Sequence, residues 1–526
     1  VYPPPTVRDR PDAIAYVMAG SGERITYAEL DRRSNQLARF WQSRGVGPGG
    51  SVVLVMENNL AWPVAVAAGM RSGLYVTPVN WHLKPAELAA LISEDRPAAI
   101  VTSVALAGQV VAAVGGTTDD HPVIVCADGA VEGCVEWDTA LAGQSTDPLE
   151  TELLGARVLY SGGTTGRPKR FAQPLLGVHP SEAPRRHSGL VDKLGVGADS
   201  VLLSPAPNYH AAPFTFQLIT LAAGGTVVCM ERFDAAGAMR AIVDHGVTHS
   251  QWVPTMLVRL LRLPDRESIA LSPRHQVAFT SGAPCPPHVK TAIFDWWGPI
   301  LHEYYGASEG YGHTYISPLE AQSHPGSVGR PLGAARVHIT DADGADGADV
   351  DPGEQGTVCF EATAGSGDAS RPALKQMGDI GYLDDEGFLY LVGRRGFMII
   401  SGGVNIYPEE IETALMAHPA VADVAVVGVP DAEFGESVKA VVEVRPGAVV
   451  TEAELIDHAR ERLAHFKAPR SVEFTTDLPR LPTGKLDKRT LVDRFATADE
   501  GAGPGSSKVP DSQQLSSPST FQGEKV

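Results

Sequence analysis

The segment SGGTTGRPK (161–169) crowds Ser161, Thr164, Thr165 and Lys169 around glycines at 162, 163 and 166. Glycines let the backbone come close to a phosphate, hydroxyls donate hydrogen bonds to it, and a lysine adds a point charge. The composition suits a triphosphate. It is not a Walker A loop, because GxxxxGK[ST] is absent and Pro168 blocks a helix start at the usual place. A flexible Ser/Gly/Thr surface loop is the plain alternative for this segment alone. Downstream, YYGASE (304–309) offers Tyr304 and Tyr305 as an aromatic face for a purine, Gly306 to admit it, the Ser308 hydroxyl, and a Glu309 carboxylate able to hold Mg²⁺. Gly378-Asp379 reads as a turn whose carboxylate can accept two ribose hydroxyls, and Arg394 follows with a forked donor. Last comes LPTGK (481–485), which sets Lys485 on a glycine-ended turn. Each could be an ordinary turn, but their joint occurrence in this order is specific.

These residues need rigid elements behind them. Short apolar runs alternate with amphipathic helical patterns through the first 330 or so residues. Strands are expected over 51–56, 75–79, 98–102, 123–126, 201–204 and 226–230, with helices over 63–72 and 84–93. This βαβ rhythm predicts an α/β fold with parallel-rich sheets covered by helices. From 331 to 363 strands and turns take over, which predicts a small β subdomain. Beyond Gly393 the pattern restarts as a compact α+β unit, with helices over 408–418 and 452–463 and strands over 424–429 and 438–444. The expected division is 1–394 for an ATP- and acid-binding domain and 395–495 for a small mobile lid. The segment 496–526 is rich in Gly, Ser, Pro and Gln, so it is expected to be a disordered tail.

Composition excludes several classes. The 526 residues carry 43 Lys+Arg against 62 Asp+Glu, a net charge of −19, which argues against nucleic acid or an anionic membrane as partner. The early apolar stretch 61–70 ends at Arg71, too short to span a bilayer, and no signal-peptide h-region is expected. Cys126, Cys134, Cys229, Cys285 and Cys359 are odd in number, with no CxxC pair, so free thiols and a cytoplasmic location are expected. Gly306-Ala-Ser-Glu-Gly310 matches the G-x-S-x-G elbow of serine hydrolases, but no HGGG-like oxyanion element accompanies it.

Over residues 8–495 the sequence resembles the adenylate-forming superfamily of acyl-CoA synthetases, peptide-synthetase adenylation domains and luciferases. The resemblance is carried by SGGTTGRPK, APNYHAAPF around His210, SGAPCPP (281–287), YYGASE, GSVGRP (326–331), GDIGYLDDEGFLYLVGR (378–394), SGGVNIYPEEIE (401–412) and LPTGKLDKRTL (481–491). It implies ATP and Mg²⁺ as cofactors, with adenine against Gly282, Ala283, Pro284 and Tyr305. Thr164, Thr165, Lys169 and Ser308 would meet phosphate, together with Ser161 and Gly162 of the same loop, and Glu309 would hold the metal. Asp379 would take the ribose, Arg394 the ribose or phosphate, and Lys485 the carboxylate and α-phosphate. His210 resembles the gate beside the acid site, where Tyr209, Phe214, Phe279 and Tyr304, with Trp252 near them, would line a pocket for an aromatic or apolar acid.

Three positions depart from the family pattern. Arg170 replaces the usual glycine after Lys169, Met377 the usual threonine before Gly378, and Gly396-Phe397 the usual charged pair at the hinge. Gly402 and Gly403, which in the family line the CoA tunnel, are kept. The altered hinge favours an amine as acyl acceptor, as in amide bond synthetases, with coenzyme A as the alternative and a serine hydrolase as a minor one.

Overall fold

The computed structural model describes residues 9–83, 85–115, 122–161, 169–183, 188–306, 310–341, 347–361, 374–401, 404–431, 434–463, 465–481 and 485–499. A seven-stranded sheet runs in the spatial order Val135–Glu136, Val123–Cys126, Ala99–Thr102, Ser51–Val55, Tyr75–Pro78, Ala156–Ser161, Lys169–Ala172. All its pairs are parallel except the last, where the chain turns back from Ser161 to Lys169 as a hairpin. Ser51–Val55 is buried at every residue, as a parallel strand covered on both faces must be. A nine-stranded sheet follows, with a parallel centre and antiparallel margins. Its strands Val277–Thr280 and Leu301–Gly306 are neighbours in that parallel centre.

One core cluster joins the two sheets. It contains Tyr16, Val227 and Cys229 from one, Val52, Leu54 and Val76 from the other, and Phe214 and Leu221 from the helix Ala211–Ala223. That helix therefore lies between the sheets, and its first turn faces the site. Helix Tyr27–Ser43 packs in the same cluster and starts at a capping box formed by Thr26 and Glu29.

The expected β subdomain is an antiparallel sheet of Val337–Thr340, Gly356–Glu361, Leu374–Leu383 and Leu389–Arg394. A 3-10 turn, Arg395–Phe397, leads from it into the C-terminal α+β unit. There a five-stranded sheet is covered by helices Pro408–Met416, Glu452–Arg462 and Lys488–Asp499. The last helix continues past residue 495, where the lid was expected to end. Large parallel-sheet domain and small α+β unit match the expected fold class. All five cysteines are free, and no helix among the described residues is long and apolar enough to cross a membrane.

Candidate active site

The adenine motif begins where the strand Val277–Thr280 ends. Gly282 has φ +87°, a conformation that favours glycine. A Cβ at that position would lie 3.7 Å from Lys485 Cε and 3.8 Å from its Nζ. The lid lysine and the adenine motif, some two hundred residues apart in sequence, are therefore adjacent. The turn that carries the lysine is closed by Leu481 N–H donating to the Lys485 carbonyl at 2.8 Å and by an antiparallel bridge between Arg480 and Leu486. Lid and large domain also meet where Arg262 donates to the Ala422 carbonyl, next to an Arg480–Asp423 ion pair.

The second segment expected to meet the purine is the strand Leu301–Gly306. Tyr305 Oη donates to Asp379 Oδ2 at 2.6 Å, so the predicted aromatic face and the predicted ribose carboxylate touch. Asp379 does not sit in a turn as the sequence led us to expect. It lies within the strand Leu374–Leu383, directly opposite Arg394 in register. Gly378 takes φ +78° and the pairing shifts register just after it, so a local irregularity in a strand reads in sequence as a turn. Position 306 takes a glycine because a Cβ there would meet His313 Cδ2 at 2.6 Å and the Gly312 carbonyl at 2.9 Å.

His210 is the N-cap residue of the helix Ala211–Ala223, with the Tyr209 ring 4.2 Å from its own. Its Nε2 is buried with no hydrogen-bond partner among the described residues. Burial, then the charge of Lys485, then His82, lowers its pKa to about 4, so the ring is neutral at pH 7. His210, Lys485 and Gly282, predicted as gate, catalytic lysine and adenine contact, thus form one neighbourhood.

The aromatic residues expected around the acid fall into different packing clusters. Phe214 turns into the core between the sheets, edge-on to Trp62 at 5.6 Å, and Trp252 packs against Trp297. Phe216, which the sequence reading did not name, lies 4.4 Å from Phe279 and 5.8 Å from Tyr304. Two residues along a helix turn the side chain by about 200°, which sends these two phenylalanines to opposite faces. Burial pushes the Tyr304 hydroxyl up to about 12.

Several side chains at the site escaped the sequence reading. Buried Arg157 donates to Thr215 on the first turns of the helix, lies 5.9 Å from the Phe214 ring, and after burial is the next cause of the lowered His313 pKa. Glu303 accepts the Cys285 N–H at 3.0 Å and pairs with buried Lys290, which also reaches the Ser327 carbonyl. Burial alone would lower the Lys290 ammonium, and Glu303 overcomes that effect. The pair anchors the chain just past Ala283 and Pro284. A buried charge opposite another, 13 residues on, has no local signature, although a lysine in the apolar stripe 289–297 was a clue.

At the hinge, Phe397 lies under Lys488, whose Nζ is 5.9 Å from the ring centroid. Lys488 is bound by Glu412 at 2.9 Å and Glu409 at 3.3 Å. The replaced hinge residue is thus packed on a charged cluster of the lid itself. Gly162, Thr164, Thr165, Ser308 and Glu309 lie outside the described residues, as do Gly402 and Gly403. What is described of the phosphate hairpin is its base, where Ser161 pairs with Lys169. Among the described residues no cluster of His, Cys, Asp and Glu forms a metal site.

Residues 5–364 match the family model of the AMP-binding enzyme, and residues 410–485 that of the AMP-binding enzyme C-terminal domain. The chain belongs to the AMP-binding enzyme family. It is an adenylate-forming acid ligase. A long-chain-fatty-acid–CoA ligase of Mycobacterium tuberculosis is 28% identical over 92% of this chain and 95% of its own length. A sulfoacetate–CoA ligase of Cupriavidus necator is 30% identical with the same coverage. Among solved structures, ATP-bound MatB of Rhodopseudomonas palustris superposes with a TM-score of 0.79 at 27% identity, over 93% of this chain and 96% of that one. An o-succinylbenzoate coenzyme A synthetase of Bacillus subtilis, in complex with ATP and magnesium ion, gives 0.74 at 25%, over 93% and 98%. The amide bond synthetase McbA of Marinactinospora thermotolerans gives 0.76 at 26%, over 92% and 97%. Family membership leaves the serine-hydrolase reading without support, even though the strand Leu301–Gly306 ends on the first residue of that sequence motif.

Proposed function

We propose that the protein is an acyl-CoA ligase: it activates a carboxylic acid as its acyl-adenylate and passes the acyl group to coenzyme A. The observation that carries the reading is Lys485 of the lid against Gly282 of the adenine motif. A carboxylate and a triphosphate repel, and positive charge at their meeting point offsets that repulsion in the transition state. One carboxylate oxygen bonds to the α-phosphorus and pyrophosphate leaves. The thiolate of coenzyme A then attacks the acyl carbon, the C–O bond breaks, and AMP departs. Lys485 serves the first step. Because the lid carries it, lid rotation withdraws it and opens the carbonyl to the acceptor.

Asp379, held by Tyr305, suits a ribose, and Arg394 stands opposite it in strand register. A magnesium ion, bound as in the Bacillus relative, would be held by Glu309 and would supply charge neutralisation between the phosphates. Neutral His210 beside Lys485 closes the acid side without adding a charge of its own. For the acid we keep an aromatic or apolar class, based on Tyr209, Phe279 and Tyr304 and now Phe216. Arg157 and Thr215 add polarity at the helix between the sheets, so the acids tested must include dicarboxylic ones.

The choice of coenzyme A departs from the expectation drawn from the hinge. It follows the weight of relatives whose names are those of CoA ligases, such as those of Mycobacterium and Cupriavidus, over the likeness to the amide bond synthetase McbA. The amine reading keeps one observation in its favour, the packing of Phe397 on Lys488. Competition decides between them: ATP, acid, and equal concentrations of coenzyme A and a primary amine, with products resolved by mass. Thioester in excess supports the proposal. Amide in excess, rising with pH as the amine deprotonates, reverses it.

A further inference from the structure

The departure at Arg170, glycine in most of the family, has a structural counterpart. Arg170 lies on the return strand of the phosphate hairpin, opposite Tyr160 and one residue from the last pair, Ser161 with Lys169. Its strand, Lys169–Ala172, is the edge of the seven-stranded sheet, and its one neighbour there is Ala156–Ser161. An edge strand of four residues is weakly held by its ladder alone. Arg170 Nε reaches Asp95 Oδ1 at 3.0 Å, across 75 residues of sequence. The Asp95 side chain is fully buried at the end of the helix Pro85–Asp95. Its other oxygen accepts from Ser51 on the first residue of one strand and from Thr77, at 3.2 Å, on the next. The guanidinium also lies over the Tyr75 ring, 5.6 Å from its centroid. One carboxylate therefore ties the hairpin's return strand to two central strands and a helix.

We propose that Arg170, through Asp95, is a positioning residue for triphosphate binding: the pair fixes the register of the strand from which Lys169 and the loop 162–168 spring. A glycine at this place has no arm to make that anchor. The inference rests on the reading of 161–169 as the triphosphate loop. Holding the stalk in one register lowers the ordering cost of binding ATP and leaves the acid, which binds elsewhere, unaffected. The alternative is that Arg170 attracts the triphosphate directly by its charge. The two differ in sign at Asp95, because removing the carboxylate frees the cation for direct attraction but destroys the anchor.

The test is steady-state adenylation with ATP and acid varied separately, in R170Q, D95N, R170K, the R170Q/D95N double variant and K169A, each with its melting temperature. We expect the ATP KM to rise about fivefold to tenfold in R170Q and in D95N, the scale of one charge-assisted hydrogen bond, with the acid KM unchanged. The double variant should be no worse than either single one, since both remove the same anchor. R170K, which keeps the charge but not the side-on Nε, should fall between wild type and R170Q. A lowered ATP KM in D95N, or R170K equal to wild type, overturns positioning in favour of direct attraction. An unchanged ATP KM in R170Q beside a raised one in K169A overturns the role of Arg170 alone. An unchanged ATP KM in K169A overturns the loop reading with it. Should D95N fail to fold, the comparison of R170Q with R170K still decides.

Discussion

Replacing Lys485 by alanine removes the cation that the lid brings to Gly282. Its Nζ stands 3.8 Å from where a Gly282 Cβ would be, which sets the ammonium beside the proposed adenine motif, and a phosphate or carboxylate oxygen that it contacts lies within about 4 Å of the charge. At an effective dielectric constant of about 20, unit charges at that separation interact by about 4 kcal/mol, or about 10³ in rate if the whole of it is felt in the transition state. Removal of a single preorganised donor in other enzymes costs about 10² to 10³. Acid-dependent exchange of labelled pyrophosphate into ATP should therefore fall by about 10² to 10³ in Lys485→Ala. Transfer from a supplied acyl-adenylate should stay near wild type, because that step needs the lysine withdrawn. The same substitution should raise the His210 pKa from its value of about 4, since Lys485 is the largest cause after burial, and NMR of the imidazole reads that shift. Near-normal exchange in the variant, or an equal loss in both half-reactions, would refute the assignment.

Asp379→Asn should raise the ATP KM about tenfold or more with a small change in the acid KM, because the ribose loses a charged acceptor worth about 1.5–3 kcal/mol; initial-rate kinetics read this. Gly306→Ala should abolish adenylation or prevent soluble expression, as the new methyl would press on His313 and the Gly312 carbonyl, and expression with pyrophosphate exchange tells which. Burial is the main cause that lowers the pKa of His210, His275 and His302 to about 4 each, below the unfolded value of about 6.5. The unfolded state then binds more protons, so stability is full above about pH 6.5 and is lost as pH falls toward 4, by up to about 3 kcal/mol per histidine. Melting temperature against pH should drop through that window, and a flat profile from 7 to 4 would contradict the burial of these rings in neutral form.

How much of this was legible in sequence follows from the range of each signal. Strands such as Ser51–Val55 and Val201–Ser204 are continuous apolar runs, and burial of a parallel strand on both faces leaves that mark. The helix Pro85–Asp95 was read from Pro85 at its start and its apolar spacing. Helix Tyr27–Ser43 was not read, although Thr26 and Glu29 spell a capping box. Asp379 was placed in a turn and lies in a strand, because a glycine at positive φ inside a strand looks like a turn. The opposite faces taken by Phe214 and Phe216 were not legible, since the face each presents depends on where the helix begins. The pairs Arg170–Asp95, Lys290–Glu303 and Phe397–Lys488 were invisible because their partners are brought together by topology, not by spacing along the chain. The motifs around Lys485 and Gly282 were visible one by one, and the fold made them neighbours.

The central claim, activation through an acyl-adenylate, is tested most directly by the fate of the carboxylate oxygen. An acid labelled with ¹⁸O in its carboxylate, turned over with ATP and coenzyme A, should leave one labelled oxygen in the phosphate of AMP and none in pyrophosphate. Label recovered in orthophosphate together with ADP, or unlabelled AMP, would contradict it.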